Sequence, residues 1–173
     1  MTAAVLRAAT DGDVPVLARL GHDSFVAKFG HLYRPQDLAA FLAKAFTPSA
    51  IAAELANPER LYSLAEMGGR LAGYCKLGLT CGFPQHARGV NVLEIKQLYT
   101  DPGLTGQGIG AALMDWAMAE FAARGADEVQ LSVYFNNIGA QQFYQRYGFE
   151  KVADVEFHVG EQVDHEFLFA LML

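Results

Sequence analysis

The hexapeptide TGQGIG at residues 105–110 places three glycines in a turn between an apolar strand-like run and a long amphipathic helix. Glycine lets a backbone approach a ligand closely, because it has no side chain to block the approach. The first turn of a helix presents unpaired N–H groups and the positive end of the helix dipole. Together these features predict an anion-binding site, most simply for the phosphate or pyrophosphate of a cofactor.

The composition indicates one globular domain that spans residues 1–173. The hydrophobic fraction is 52% and the charged fraction is 18%, and a chain of this length can bury a substantial core. The net charge of −6 argues against a general nucleic-acid-binding protein, since such proteins need a basic surface. A negative surface would instead help to attract a cationic substrate.

The sequence predicts neither a metal site nor a membrane span. Cys75 and Cys81 lie six residues apart in one predicted strand, without a nearby His to complete a metal site. We expect two reduced, partly buried thiols. The N-terminus lacks the regions of a signal peptide, and no apolar run approaches the roughly 20 residues of a membrane span. These observations favour a cytoplasmic protein without a membrane partner.

Hydrophobic periodicity predicts a strand, three helices, three strands, and then alternating helices and strands that end in a hairpin. The predicted strands are 5–9, 61–65, 71–80, 90–100, 128–135, 149–159 and 163–171, and the predicted helices are 11–29, 35–45, 48–57, 108–124 and 137–147. This order is typical of a mixed α/β sheet. The strands on either side of the helix 108–124 should be parallel neighbours, with the glycine turn at a carboxyl end, where ligands bind in such sheets.

The strand 90–100 contains a break in its alternation. Leu93 and Ile95 share one face, but the next apolar residue is Leu98 rather than Gln97. Because side chains alternate with a period of two, this break indicates a β-bulge. A bulge would splay the strand from its parallel neighbour and free backbone groups to bind an amide-bearing ligand. The alternative is a mixed face at the end of the strand.

A dinucleotide site is the main alternative for the glycine turn, since Gly106, Gly108 and Ala111 also fit that fingerprint. Such a site normally opens its fold and has an acidic residue at the end of the next strand. Here the turn lies past the middle of the chain, and the next strand ends at residues 133–137 without an acid. A Walker-type loop is excluded because no Lys-Ser or Lys-Thr pair follows the glycines.

Two motifs resemble those of the GCN5-related N-acetyltransferases (GNAT). The family's acetyl-CoA-binding motif reads Gln/Arg-x-x-Gly-x-Gly/Ala, and Gly108 and Gly110 match its last two fixed positions. Thr105 stands at the first, so the pyrophosphate would have one side-chain contact fewer or a different one. The second motif reads Asn-x-x-Ala-x-x-Phe/Leu-Tyr-x-x-x-Gly-Phe. The residues that meet it are Asn137, Ala140, Phe143, Tyr144, Gly148 and Phe149.

The resemblance implies a single-domain fold of the α/β (α+β) class. Its sheet would be mixed and mostly antiparallel, with a splayed parallel strand pair and flanking helices.

The first half of the chain is also similar to a bacterial branch of the family that acetylates polyamines such as spermidine and spermine. The residues that carry this likeness are Phe25, Phe29, Tyr33, Asp37-Leu38, Phe41-Leu42, Glu54-Leu55, Asn57-Pro58 and Gly160-Glu161-Gln162-Val163-Asp164. Each of them also has a plain interpretation as a core or capping residue.

The resemblance implies acetyl-CoA as co-substrate, with no metal, and direct attack by an amine without an acyl-enzyme. The N–H group of Leu98 or Tyr99 would polarise the thioester carbonyl, and one such donor contributes about 3–4 kcal/mol in a transition state. Asn137 would contact the pantetheine arm or only cap its helix. The expected cofactor-binding residues are Leu98, Tyr99, Thr100, Thr105, Gly106, Gln107, Gly108, Ile109, Gly110 and Asn137.

The resemblance makes Tyr144 the candidate general acid, since its position in the second motif brings the hydroxyl to the sulfur in this family. A phenol can protonate a leaving thiolate as the C–S bond breaks. The structural alternative is a core tyrosine packed beside Phe143, and Tyr147 is the second candidate acid, one helical turn further along.

Glu94 is the candidate general base, because it lies on the polar face of the strand expected to line the cleft. The ordinary pKa of a Glu is too low for efficient proton abstraction unless the carboxyl is buried or works through water. The alternative is a structural Glu94 that is exposed or paired with Lys96.

Three functions remain open at this point. The first is acetyl transfer to a small polyamine-like primary amine, and the second is acetylation of a protein N-terminus or lysine. The third, of another class, is a non-catalytic acyl-CoA-binding regulatory module, which could lack the general acid. The aromatic C-terminal hairpin is a candidate contact for a homodimer.

Overall fold

The protein is represented by a computed structural model that describes residues 3–173. Within these residues, seven strands form one sheet and five α-helices cover it. The strands are β1 (Val5–Ala8), β2 (Arg60–Met67), β3 (Arg70–Gly78), β4 (Val92–Thr100), β5 (Glu128–Tyr134), β6 (Glu150–Val159) and β7 (Gln162–Met172). The helices are α1 (Val14–Phe29), α2 (Pro35–Ala45), α3 (Pro48–Ala56), α4 (Ile109–Ala123) and α5 (Ile138–Arg146).

The strand order in the sheet is β1-β2-β3-β4-β5-β7-β6. Neighbouring strands are antiparallel except β4 and β5, which are parallel and are joined through α4. The predicted mixed, mostly antiparallel sheet with one parallel pair is therefore confirmed. A parallel pair needs a long crossover connection, and α4 supplies it.

The predicted β-bulge in β4 is confirmed. Against β3, the register runs from Lys76 opposite Gln97 to Leu77 opposite Ile95, so one residue of β4 has no opposite partner. That residue is Lys96. Against β5, the pairing stops at Glu94 opposite Gln130. The second half of β4 therefore presents an edge towards β5 that no strand occupies.

The expectation that Cys75 and Cys81 share one strand is wrong, because β3 ends at Gly78. Beyond it the chain folds back over the sheet, and the N–H group of Gly82 donates a hydrogen bond to the carboxylate of Glu94 over 2.7 Å. Cys75 is buried in the sheet, Cys81 is partly exposed, and both thiols are free.

Two hydrophobic cores lie on opposite faces of the sheet. On one face, α4 buries Leu113 and Phe121 against strand residues such as Val129. On the other face, α1 to α3 bury residues that include Leu17 and Phe46. Burial of a large apolar side chain contributes about 1.5–3 kcal/mol, so each core fixes its helices on the sheet. This arrangement sets α1 above the open edge of β4.

No single helix among residues 3–173 has the length and apolar character needed to cross a membrane. The helices α2 and α3, bent by 43° at their junction, meet that test only when they are taken together.

Candidate active site

A cavity of about 130 Å³ lies at the gap between β4 and β5. Gln97, Leu98 and Tyr99 line it from the splayed half of β4, and Leu131 to Tyr134 line it from β5. The last turns of α1 close it from above, and Tyr144 of α5 also reaches it. A groove of this kind has free backbone donors and acceptors on its floor, so it can pair with an extended amide-bearing chain.

A second cavity of about 160 Å³ adjoins the first and extends towards the glycine turn. Lys28 and Tyr99 line both cavities, and Thr100 and Thr105 line the second one. Lys28 lies in the last turn of α1, and burial lowers the pKa of its ammonium group. The two cavities together connect the start of α4 with the gap between the strands.

The glycine turn has the open geometry of an anion cradle. Gly106 and Gly108 adopt φ values of 76° and 79°, which side chains disfavour, and a Cβ at either position would meet no atom within 4 Å. Gly108 is the N-cap of α4, so the N–H groups of Ile109, Gly110 and Ala111 have no acceptor within the helix, whose first bond runs from Ala112 to Gly108. The backbone around Gln107 and Gly110 completes the turn. These residues fit a diphosphate, because they offer N–H groups and space without a competing side chain.

The placement of Tyr144 follows from the two ends of α5. The side chain of Asn137 caps the start of the helix by accepting a hydrogen bond from the N–H group of Ala140 over 3.2 Å. At the other end, Gly148 adopts a φ of 94°, and the N–H group of Phe149 donates to the carbonyl of Tyr144 over 3.2 Å. This is the hydrogen-bond pattern of a glycine-terminated helix. Both caps hold Tyr144 against the cavity.

Burial is the main cause that raises the pKa of Tyr144, and the neighbouring Cys75 and Tyr99 raise it further. Tyr144 therefore stays protonated at neutral pH and can act as a proton donor. Tyr147, the second candidate acid, lies elsewhere: its hydroxyl is 3.4 Å from a carboxylate oxygen of Asp115, and it does not line the cavity. Of the two tyrosines, only Tyr144 reaches the gap between the strands.

Glu94 occupies a different environment from the cleft-facing position expected for it. The residue is 6% exposed, and its carboxylate accepts hydrogen bonds from the N–H group of Gly82 over 2.7 Å and from Lys96 Nζ over 3.0 Å. It is not among the residues that line the cavity. The ion pair with Lys96 is the alternative that the sequence left open.

Sequence reasoning missed the carboxylate that does line the cavity, which is Glu166 of β7. In the sheet, Glu166 lies opposite Tyr134 of β5 and Val155 of β6. A signal was present in the sequence, because Asp164 and Glu166 share the strand face of the buried residue Leu168. Acids on a buried face of a strand are uncommon enough to mark a polar site.

Three of the residues that carry the likeness to polyamine acetyltransferases line the same cavity, and others are tied to them. Phe25, Phe29 and Tyr33 line it. The Tyr33 hydroxyl donates a hydrogen bond to Asp164, which is 8% exposed. Asp37, at the start of α2, accepts a hydrogen bond from the N–H group of Glu161 over 2.9 Å. The hairpin of β6 and β7 is thereby tied to the helices that close the cavity.

Comparison with known proteins shows which family has this architecture. The profile of the Acetyltransferase (GNAT) family matches residues 26–149. An uncharacterized N-acetyltransferase in the pepI 3' region of Lactobacillus delbrueckii subsp. lactis is 25% identical over 168 residues, which is 97% of this chain and 96% of that protein. The aminoalkylphosphonate N-acetyltransferase of Salmonella typhimurium is 33% identical over 100 residues, which is 58% of this chain and 63% of that protein.

The fold is similar to a solved structure along its whole length. The crystal structure of the PaiA N-acetyltransferase from Thermoplasma acidophilum, in complex with coenzyme A, covers 98% of this chain and 99% of its own. The TM-score is 0.80 at 19% sequence identity, so the likeness shows the fold. The family profile covers most of the chain, and the fold has a cleft between β4 and β5. This chain therefore belongs to the GNAT family and is an acetyl-CoA-dependent N-acetyltransferase.

Proposed function

We propose that this enzyme transfers an acetyl group from acetyl-CoA directly to a small primary amine that is cationic and polyamine-like. The observation that carries the proposal is the cavity between β4 and β5. It is small and closed by α1, and it has Tyr144 on its wall and the carboxylate of Glu166 within it. A protein N-terminus or lysine side chain would need an open groove, whereas an amine of a few carbons fits a cavity of about 130 Å³.

The chain's own residues would hold acetyl-CoA along the route from the glycine turn to the cavity. The N–H groups from Gly106 to Gly110 would bind the diphosphate at the start of α4. The open edge of β4 at Leu98, Tyr99 and Thr100 would pair with the pantetheine amides. Acetyl-CoA supplies the activated acyl group, and a backbone N–H group near Leu98 would polarise its carbonyl.

Thr105 leaves the cradle without the long side chain that the family usually has at this position. Lys28 lines the same cavity as Thr105 and is the cation that α1 brings to this end of the cleft. A lysine there would complement the negative charge of the cofactor without occupying the cradle itself.

Three features support a cationic acceptor. The aromatic side chains of Phe25, Phe29 and Tyr33 line the cavity, and aromatic faces attract ammonium groups. Glu166 lines the cavity between β4 and β5 but not the second cavity, which Thr105 lines. Its negative charge therefore lies away from the glycine turn, where the diphosphate would bind. The net charge of −6 adds a long-range attraction for a cation that salt would weaken.

The test is an assay of free thiol release from acetyl-CoA with a panel of acceptors, together with detection of the acetylated product. The panel contains spermidine, spermine, diamines, aminoglycosides and peptides. We expect saturable release with the polyamines or diamines. Release only with peptides would contradict the small-amine assignment, and release with no acceptor while coenzyme A still binds would favour a non-catalytic acyl-CoA-binding module.

A further inference from the structure

Glu166 is a partly buried acid without a cationic partner. Among the salt bridges of residues 3–173, none involves Glu166. Lys28 lines the same cavity, yet it does not pair with Glu166. Partial removal from water makes an ionised carboxylate without a counter-charge less favourable, so such a group is stabilised by a proton or by a cation on a ligand.

Asp164, the neighbouring acid, already has a hydrogen-bond partner at each carboxylate oxygen and is not free to bind a ligand cation. Asp164 accepts a hydrogen bond from the Tyr33 hydroxyl at one oxygen and from Gln162 Nε2, over 3.1 Å, at the other. Gln162 also donates to the carbonyl of Leu32, which anchors it. Asp164 therefore fixes the wall of the cavity, and Glu166 is the carboxyl left for a ligand.

The electrostatic environment of Glu166 favours its protonated form more than water does. Burial raises the pKa of Glu166 above its ordinary value, and the charge of Asp164 raises it further, while a hydrogen bond with Ser132 acts in the opposite direction. The ordinary pKa of a Glu is too low for a good general base, and a raised value brings the base closer to the working pH.

Glu166 and Tyr144 face one space from different elements. Tyr99 lies near both side chains. Burial raises the pKa of Tyr99, and the charge of Glu166 raises it further. Burial likewise raises the pKa of Tyr144, to which Tyr99 makes a smaller contribution. An amine placed between the carboxylate and the phenol would be close to the open edge of β4. The titratable and charged side chains that line the cavity with Glu166 are Lys28 of α1, Tyr33 from the α1–α2 connection, Lys96 and Tyr99 of β4, Tyr134 of β5 and Tyr144 of α5.

We propose that Glu166 binds the ammonium group of the acceptor amine and removes its proton before acetyl transfer. This inference rests on the proposed function and assigns its base and the charge of its substrate. The ammonium group gives one proton to the Glu166 carboxylate, which later releases it to water. The neutral amine forms a bond to the acyl carbon, and the C–S bond breaks. Tyr144 gives a proton to the sulfur and regains one from the nitrogen, directly or through water.

The experiment compares the full-length protein with Glu166→Gln, which keeps the shape of the side chain and removes its charge. Glu156→Gln is the matched control, because Glu156 lies on the neighbouring strand β6 with its side chain 71% exposed and away from the cavity. Glu94→Gln tests the other candidate base. Each protein is titrated calorimetrically with spermidine and, separately, with coenzyme A, and kcat and KM are measured from pH 5 to 9.

We expect Glu166→Gln to weaken spermidine binding at least tenfold and to lower kcat by about 100-fold or more, the usual contribution of a general base. The acidic limb of the pH profile should disappear in this variant, while coenzyme A affinity and the melting temperature stay close to those of Glu156→Gln. Glu94→Gln should keep the acidic limb.

An unchanged spermidine affinity in Glu166→Gln would overturn the binding role. A higher KM with an unchanged kcat and pH profile would overturn the proton-accepting role. Loss of the acidic limb in Glu94→Gln instead would assign the base to Glu94. A wild-type protein that binds coenzyme A but acetylates no amine would refute the proposed function itself, which separates that failure from the failure of this inference.

Discussion

The hydroxyl of Tyr33 donates a hydrogen bond to the buried carboxylate of Asp164, and this contact joins the connection between α1 and α2 to β7. Tyr33 is 131 residues away from its partner in the chain, so the bond closes the cavity from two distant parts of the sequence. Because Asp164 stands two residues before Glu166, the same bond fixes the strand that carries the free carboxyl.

The first prediction concerns this contact. Tyr33→Phe removes the donor and leaves a buried carboxylate oxygen without its partner, which costs about 1–3 kcal/mol. We expect a lower free energy of unfolding in urea and a higher KM for the amine, with coenzyme A affinity unchanged. A variant as stable as the wild type would show that Asp164 is satisfied without Tyr33.

The second prediction concerns proton donation to the leaving sulfur. Tyr144→Phe should lower kcat at least tenfold, because general acid catalysis contributes about 10²–10⁴-fold and other donors replace part of it. Coenzyme A affinity should stay nearly unchanged. Tyr147→Phe is the control, since Tyr147 lies outside the cavity beside Asp115. Equal rates for wild type and Tyr144→Phe would reject the assignment.

The third prediction concerns the anion cradle. Gly108→Ala places a side chain at a φ of 79°, which costs about 1–2 kcal/mol, and points a methyl group into the space where the diphosphate would lie. Gly125→Ala carries a similar strain at a φ of 65° near the other end of α4. We expect both variants to lose similar stability by thermal denaturation, and only Gly108→Ala to lose coenzyme A affinity, by tenfold or more. Equal affinities would contradict a diphosphate site at the start of α4.

The fourth prediction concerns the pH dependence of stability. Because the folded-state pKa of Glu166 is raised, the folded protein holds its proton more tightly than the unfolded chain does. This contribution to stability is complete below the ordinary Glu pKa of about 4.3 and is lost as the pH rises through the folded-state value. Glu166→Gln does not lose stability in this way, because an amide side chain does not bind or release a proton in this pH range.

The melting temperature of Glu166→Gln, relative to the wild type, should therefore increase as the pH rises from 4 to 8. The measurement is differential scanning calorimetry without amine, with Glu156→Gln as the control for net charge. Addition of spermidine should reverse the difference, since only the wild type gains a counter-charge at Glu166. A melting-temperature difference that does not change with pH would contradict a partly buried Glu166 that binds a proton more tightly in the folded state.

Much of the fold could be predicted because its signals are local. The alternation break between Ile95 and Leu98 located the bulge, and the glycines at 108 and 148 marked the start of α4 and the end of α5. Cys81 was misplaced because β3 ends at Gly78, and the segment beyond it bonds to a distant residue, from the N–H group of Gly82 to Glu94, which the local pattern does not reveal.

The candidate site could be predicted only where a motif carried it. Tyr144 lies in such a motif, and its helix caps were readable from Asn137 and Gly148. Glu166 was missed because its environment is made by distant residues, among them Tyr33 and Tyr99, which the sheet order brings to β7. Glu94 and Glu166 are both acids on strands, and only the bulge and the strand register determine which one lines the cavity.

In the proposed mechanism, the gap between β4 and β5 holds the acyl donor and the acceptor amine together. A crystal structure of the protein with coenzyme A and spermidine would test this arrangement. We expect the diphosphate on the N–H groups between Gly106 and Gly110, the pantetheine arm along the open edge of β4, and an amine nitrogen within hydrogen-bond distance of the Glu166 carboxylate. Coenzyme A bound away from the start of α4, or spermidine bound outside the cavity, would contradict it.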